Sequence, residues 1–331
     1  MTSAIASAGI RTQPRPRCPL CEGPGDWIHR GLVDRLFAAP GEWGYRRCGS
    51  PDCGLVWIDP LPIEEDLAKA YRDYYTHHRA EPGRAGRGVW AAAELLWRLT
   101  GVDRVRQHLE HLLLDDRPPG RLLEIGCGTG ERLARLRGAG WEVEGQEIDA
   151  TAADVARRRL GVAAIHHGPL EALGLPAASY DAIASSHVLE HVRDPAALLG
   201  ECRRLLRPAG SFVAITPNAA SLGHARYGRD WFYLDPPRHL QIFTPRALAT
   251  AAARAGFAAT VQTSSARAQT VAASSLELRR PSFVRGRFAR SVRDLAAVSF
   301  QIEGQARVLF DAASGEECLL TGCPRADGKG P

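Results

Sequence analysis

The chain has 331 residues, enough for one large α/β domain and a smaller module, and its 45% hydrophobic and 24% charged content excludes a low-complexity or collagen-like polymer. The net charge of +5 rests almost wholly on arginine, Lys69 and Lys329 being the lysines, and the arginines are dispersed, which argues against a dedicated nucleic-acid surface. No apolar run approaches the roughly 20 residues of a membrane span, and the first residues lack the basic start of a secretory signal, so a cytoplasmic chain is expected.

Residues 1–17 carry no apolar periodicity and read as a mobile tail. Residues 18–60 hold two cysteine pairs, and residues 61–118 read as a helical segment. Within it a helix is expected around 64–74 and another over 89–114, where Leu95, Leu96, Leu99, Val102, Val105, Leu109, Leu112 and Leu113 recur at helical spacing. A Gly-rich link, 80–88, separates the two, and Asp115-Asp-Arg-Pro-Pro-Gly120 ends the second. From 119 to 325 strands and helices alternate. Strands are expected at 121–125, 141–148, 162–166, 180–185, 211–216 and 257–263, with a possible seventh at 317–321. Helices are expected at 131–138, 151–160, 195–206, 245–255 and 294–310. Asp194-Pro195 and Thr244-Pro245 are cap-plus-first-turn signatures, and Asp149 or Thr151 suits the cap at 151. This order implies a doubly wound, mostly parallel sheet with its ligand at the carboxyl ends of the strands. A homodimer through the 294–310 helix is compatible with the sequence.

The first strand exits into Glu124-Ile-Gly-Cys-Gly-Thr-Gly130. Gly126, Gly128 and Gly130 allow a tight turn and a close ligand, and the helix that follows presents its N–H groups to a carboxylate or phosphate. The spacing is G-x-G-x-G, not the G-x-G-x-x-G of dinucleotide folds. Glu124, inside the strand, can accept from loop N–H groups or from a ligand amine. Glu147, about 20 residues beyond the loop, is placed to bind both hydroxyls of a ribose.

These features resemble the class I S-adenosylmethionine-dependent methyltransferases over roughly 121–263. The motifs are Glu124-Ile-Gly-Cys-Gly-Thr-Gly130, Gly145-Gln-Glu-Ile-Asp149, Tyr180-Asp-Ala-Ile-Ala184 and Leu205-Leu-Arg-Pro-Ala-Gly210. The resemblance implies a seven-stranded Rossmann-like sheet. It implies that Gly126, Cys127, Gly128 and Gly130 cradle the cofactor, Glu147 binds its ribose, Ile148 packs on adenine, and the chain after the fourth strand, with His187, covers it. Relatives carry an Asp after the third strand, facing the adenine amine. Here Pro169 stands at that place in His167-Gly-Pro-Leu-Glu171, and Glu171 or the Leu170 backbone is the substitute.

On the acceptor side, His187-Val-Leu-Glu-His-Val192, Thr216-Pro-Asn218 and Asp230-Trp-Phe-Tyr-Leu-Asp-Pro-Pro-Arg-His-Leu240 resemble a branch linked to sugar, glycolipid or secondary-metabolite methylation. Methyl transfer to a hydroxyl needs alignment and a base, and a histidine suits the base. His191 and His239 are the candidates, with His187 third; each is either the base or a loop-stiffening hydrogen-bond group. Trp231, Phe232 and Tyr233 are candidates for the acceptor pocket or the core, and Asn218 for orienting the acceptor.

Cys18-Pro-Leu-Cys21 and Cys48-Gly-Ser-Pro-Asp-Cys53 supply four thiols in two short-spaced pairs, the set a closed, structural Zn²⁺ site requires; the alternative is buried unligated thiols. Similar N-terminal zinc modules precede this kind of methyltransferase, which extends the resemblance to about residue 60. The expected protein is therefore a zinc-ribbon-like module (18–60), a helical segment (61–118) and a methyltransferase domain (119–325), acting on a small-molecule hydroxyl or carbon. An NAD-dependent oxidoreductase and a nucleic-acid methyltransferase are the rival readings.

Overall fold

The computed structural model describes residues 9–71, 87–279 and 287–325. The N-terminal part contains β1 (Thr12–Gln13), β2 (Gly25–Leu32), β3 (Trp43–Cys48), β4 (Val56–Ile58), β5 (Leu61–Pro62) and the short α1 (Glu64–Leu67). Residues 9–17, expected as part of a mobile tail, are tied down: Thr12 pairs with Pro62 and Gln13 with Leu61, and Arg11 pairs with Asp66. Trp57 also donates to the Arg15 carbonyl at 2.7 Å. Absence of apolar periodicity says nothing about such polar anchoring.

The helix expected over 89–114 is two, α2 (Arg87–Leu99) and α3 (Val102–Glu110). Gly101 takes φ +77, a left-handed turn that ends one helix and opens the other while the apolar spacing runs on. The alternating region then supplies β6 (Arg121–Ile125), α4 (Glu131–Gly138), β7 (Glu142–Glu147), α5 (Ala150–Leu160), β8 (Ile165–His167) and β9 (Tyr180–Ser186). After these come α6 (Pro195–Leu205), β10 (Leu206–Pro217), α7 (Leu222–Tyr227), β11 (Gln241–Ile242), α8 (Pro245–Arg254), β12 (Phe257–Ser264), α9 (Ala268–Arg279), α10 (Arg287–Phe310) and β13 (Glu317–Pro324). The third strand lies later than expected because Val162–Ala164 form a 3₁₀ turn and Val162 is exposed; Ile165 is the residue that enters the core. Periodicity does not mark α9, whose buried side is built from Ala268, Val271, Ala272 and Ser275 with little apolar contrast. Asp149, Asp194 and Thr244 cap α5, α6 and α8 as their positions imply.

The main sheet has seven strands in the order β12-β13-β10-β9-β6-β7-β8, parallel from β10 to β8, with β13 antiparallel to both neighbours. The chain leaves β6 in one direction for β7 and β8, then returns to β9 on the other side. The exit of β6 is thus the switch point, where a crevice opens. Along β10, Phe212 and Ala214 enter one core layer and Val213 and Ile215 the other, the alternation a strand covered on both faces requires.

A second sheet, β11-β4-β3-β2, joins the N-terminal segment to the main domain because β11 pairs with β4. Cys18, Cys48, Cys53, Leu55 and Trp57 share a core with Phe243, Ala247 and Leu248. None of the described helices is long and apolar enough to cross a membrane.

Close packing under the β6 exit makes one glycine critical. A Cβ on Gly145 would stand 2.5 Å from Cys127 Sγ and 2.8 Å from Leu133 Cδ1. Gly145→Ala is expected to destabilise the domain by about 1–3 kcal/mol and lower the melting temperature by a few degrees, read by thermal unfolding. An unchanged melting temperature would mean that the loop yields freely.

Candidate active site

The loop between β6 and α4 turns through three left-handed glycines, Gly126, Gly128 and Gly130, at φ +66, +56 and +72. At Gly126 a side chain is excluded sterically as well, since its Cβ would lie 2.6 Å from Val188 Cγ2. Gly128 faces open space, with no atom within 4 Å of a built Cβ. No side chain caps α4, so its first-turn N–H groups remain available to an anion.

The loop is held by the end of β7. Glu147 Oε2 accepts from Gly128 N at 2.7 Å, and Oε1 accepts from Ile148 N and Asp149 N at 2.8 and 2.9 Å. Gln146 accepts from Gly126 N at 3.2 Å and donates to the Gly168 carbonyl at 2.6 Å, so it joins the exits of three strands. Gln146 is not among the residues expected from the sequence; its place between Gly145 and Glu147 at the end of β7 was the available signal. Glu124 bonds no loop N–H. Its Oε1 accepts from Arg132 at 2.8 Å, and its Oε2 is buried without a partner. Burial outweighs Arg132 and pushes this carboxyl up to about 7. Ile148 projects an exposed apolar side chain beside the loop, Leu170 is buried, and Cys127 Sγ packs toward Gly145.

Beyond β9, three histidines split into two kinds. His187 sits at φ +57, unusual for a side chain of its size. Its Nδ1 faces Glu190 Oε1 at 3.1 Å and its Nε2 faces Glu317 Oε1 at 2.9 Å. Two ring nitrogens on two carboxylates require two N–H groups. Burial alone would lower this imidazole, but the two carboxylates prevail and hold it up at about 9. Glu190 and Glu317, despite their own burial, are drawn down to about 2. Arg267 extends the network, donating to Glu317 at 3.0 Å and Glu110 at 2.9 Å, and Thr216 Oγ1 donates to Glu190 at 2.9 Å.

His191 and His239 meet edge to face, ring centroids 4.6 Å apart. Burial lowers both to about 4, so both are neutral at pH 7. His239 Nδ1 donates to the Tyr233 carbonyl at 2.7 Å; His191 Nδ1 lies 3.2 Å from the Arg238 carbonyl and 3.0 Å from the Tyr71 hydroxyl. A donor at Nδ1 leaves Nε2 as the bare acceptor of each ring.

In the N-terminal part, the four sulfurs of Cys18, Cys21, Cys48 and Cys53 lie within 4.8 Å of one another, all as free thiols. Cys18 and Cys53 sulfurs are 3.7 Å apart and those of Cys21 and Cys48 are 3.3 Å apart. Tetrahedral ligation at a Zn–S distance of about 2.3 Å needs sulfurs about 3.8 Å apart, so the set suits that geometry. Cys318 is buried in the core and Cys323 is exposed, and neither belongs to the four-cysteine group.

Residues 97–262 match a family model described as a methyltransferase domain. The chain belongs to this family. Among curated relatives, a probable S-adenosylmethionine-dependent methyltransferase of Mycolicibacterium smegmatis is 34% identical over 46% of this chain and 54% of its own. The malonyl-[acyl-carrier protein] O-methyltransferase of Serratia marcescens is 36% identical over 39% of this chain and 49% of its own. A ubiquinone biosynthesis O-methyltransferase of Cereibacter sphaeroides is 37% identical over 34% of this chain and 47% of its own. The matched stretch thus spans about half the length of these relatives. A solved S-adenosylmethionine-dependent methyltransferase of Thermotoga maritima aligns with 70% of this chain and 95% of its own, at 20% identity and a TM-score of 0.43.

Within this methyltransferase domain, the cofactor-loop glycines and Glu147 come together as their spacing implies, while two expected roles change. His187 is a charged tie between two carboxylates and has no lone pair to take a proton at neutral pH. Asn218 donates to the Ala313 and Gly315 carbonyls and accepts from Ala220 N, so its amide shapes the loop after β10 and does not orient an acceptor. Trp231 is buried and stacks on His224 at 4.5 Å, a core position. Glu190 lies inside the quoted histidine motif and Glu317 opens an otherwise apolar strand; a carboxylate in each apolar setting was the missed signal.

The charged tie predicts a pH signature. The folded state holds His187 above its unfolded value of about 6.5, so its contribution is full below that pH and is lost as pH rises through about 9. His187→Gln is expected to lower stability by on the order of 2 kcal/mol at about pH 6 and by almost nothing at about pH 10, read by urea unfolding across pH. A deficit that stays constant with pH would show that the ring acts through shape alone.

Proposed function

We propose that the protein transfers a methyl group from S-adenosylmethionine to a hydroxyl, or less favourably a carbon, of a small sugar or secondary-metabolite acceptor. Residues 119–325 would form the catalytic domain, with a structural zinc module at 18–60 and a helical segment at 61–118. The observation that carries this reading is the juxtaposition at the sheet's switch point: a glycine loop tied to Glu147 on one side, and two neutral imidazoles with bare Nε2 atoms beyond β9.

The residues present fit the cofactor. Glu124 offers a buried carboxylate oxygen without a partner, suited to an ammonium, and the uncapped start of α4 suits a carboxylate. Exposed Ile148 offers an apolar plate for adenine. Glu147 already accepts three backbone N–H bonds, and a carboxylate has about four acceptor positions, so it has room for one ribose hydroxyl unless the N–H bonds to Ile148 and Asp149 yield. The cofactor, when bound, supplies an electrophilic methyl on a sulfonium. His191 or His239 would take the acceptor hydroxyl's proton at Nε2, and positioning by the loop would supply the rest of the rate. With both rings lowered to about 4, the basic form is present throughout the neutral range, so the rate should fall only as pH drops toward that value. Cys18, Cys21, Cys48 and Cys53 would hold Zn²⁺ in a closed set, where it fixes the module and takes no part in the reaction. Eight cysteines, all as free thiols, fit a reducing compartment such as the cytoplasm.

Calorimetry with S-adenosylmethionine and its demethylated product tests the cofactor site, with NAD as the rival ligand. Wild type is expected to bind S-adenosylmethionine at micromolar concentration, and Gly128→Arg and Glu147→Ala to lose at least about tenfold, or about 1.4 kcal/mol. Binding of NAD alone by folded protein would sink the proposal. For the metal, elemental analysis is expected to find one zinc per chain. Cys53→Ser should lose it and melt well below wild type, since structural zinc contributes directly to folding. A metal-free wild-type protein with an unchanged melting temperature would remove the zinc assignment.

A further inference from the structure

Where the chain enters β6, β9 and β10, at the strand ends opposite the cofactor loop, the surface opens into a cavity of about 290 Å³. That is near the lower bound for pockets that take small organic ligands. β6 carries five residues from Arg121, next to the Gly120 that lines this cavity, to Ile125 at the loop, a rise of about 16 Å. The two sites are therefore separate, and the methyl-transfer reading gives this end of the sheet no part.

The cavity wall divides into an apolar part and a donor-rich part. Pro118, Pro119, Ala182 and Ala209 give it aliphatic surface, and Trp141 adds an aromatic ring. Trp141 and Ser211 are each 5% exposed, yet neither the indole N–H nor the hydroxyl bonds to any other described residue. A buried donor left unpaired is a standing cost that a bound acceptor removes. The Arg117 guanidinium likewise has no ion pair or hydrogen bond among the described residues. Arg207 is already committed: its Nη1 donates to Asp181 Oδ2 at 2.5 Å, the oxygen that also accepts from Arg121 N at 2.8 Å. A Cβ on Gly120 would stand 2.6 Å from that same oxygen, so the glycine leaves Asp181 its place in the wall.

We propose that this cavity binds an aromatic monocarboxylate, its ring against Trp141 and the two prolines and its carboxylate on Arg117, the Trp141 N–H and the Ser211 hydroxyl. Three unpaired donors, against one carboxylate that is itself tied down, call for a ligand end that accepts hydrogen bonds. Charge limits that end. Arg117 and Arg207 against Asp181 leave one net positive charge in the wall, which a single carboxylate matches. A phosphate dianion would bring a second negative charge beside Asp181. A guanidinium also meets a carboxylate in a planar, two-point geometry. The other end of the ligand follows from the walls: proline, alanine and an indole face offer contact area and no polar partner, which suits a flat apolar ring.

The test is calorimetric titration of the full chain with 2-naphthoate, with the uncharged 2-naphthamide as its control. It does not depend on the methyl-transfer reading, and thermal melting serves to confirm that variants fold. Wild type is expected to bind one naphthoate per chain below about 1 mM and the amide at least about tenfold more weakly. Arg117→Glu, a change at an exposed position, should weaken naphthoate by about tenfold, and Trp141→Phe, which keeps a ring but removes the N–H, by about threefold. An excess of S-adenosylmethionine's demethylated product should leave the affinity unchanged. No binding up to about 1 mM, equal affinity for the amide, indifference to Arg117→Glu, or displacement by the demethylated cofactor would each overturn the proposal.

Discussion

A guanidinium with no exposed surface must find its counter-charges inside the protein, and Arg238 is such a group. It donates to both oxygens of Asp235, and through Nη1 to Asp34 Oδ2 at 2.8 Å and the Ala70 carbonyl at 2.9 Å. Three separate stretches of chain are thereby fixed to one side chain: the loop after β2, the 3₁₀ turn that follows α1, and the loop between α7 and β11. The two carboxylates respond differently. Burial outweighs Arg238 at Asp235 and raises it. At Asp34, the hydrogen bonds from Arg238 and from the Phe37 and Ala39 N–H groups outweigh burial and lower it. Removing one member of such a group leaves a buried charge unpaired, at a cost of about 3–5 kcal/mol.

The N-terminal segment is consequently built into the region around His191 and His239 rather than appended to it. Tyr45 donates to the His239 carbonyl at 2.8 Å, and Tyr71 reaches His191. β11, which leads directly from His239, completes the module's sheet. Any cation held by the four cysteines would therefore stabilise the loop that carries a candidate base, although it sits at the far end of the module's sheet from that loop.

Much of this was legible in the sequence where one residue's chemistry decides a local geometry. The left-handed turns at Gly126 to Gly130, the Asp194 and Thr244 caps, the switch-point loop and the cysteine spacing all follow from short-range rules. What escaped was set by distant partners. His187 reads from its motif as a third candidate base or a loop-stiffening group; Glu317, 130 residues away, together with Glu190 holds it charged at neutral pH. Asn218 reads as an acceptor ligand until the 313–315 turn occupies its amide. Residues 9–17 read as a tail until Asp59, Asp66 and Leu61 hold them. The break at Gly101 was visible as a glycine, but apolar spacing continued through it and masked the turn.

The histidines show how one environment produces opposite charge states within a few residues. All three rings lose water on folding, which by itself favours the neutral form. At His187 two carboxylates contact the ring directly and reverse that preference. At His239 the partner at Nδ1 is a carbonyl, and at His191 a hydroxyl and a carbonyl; none of these supplies a full negative charge, so burial prevails. The two outcomes are linked through Glu190. Its charge is matched by His187, which leaves less field to protonate its sequence neighbour His191; a neutral His187 would free that field and raise His191 toward protonation. The strained backbone at φ +57 places the His187 ring between Glu190 and Glu317, and so helps to keep the neighbouring bases unprotonated.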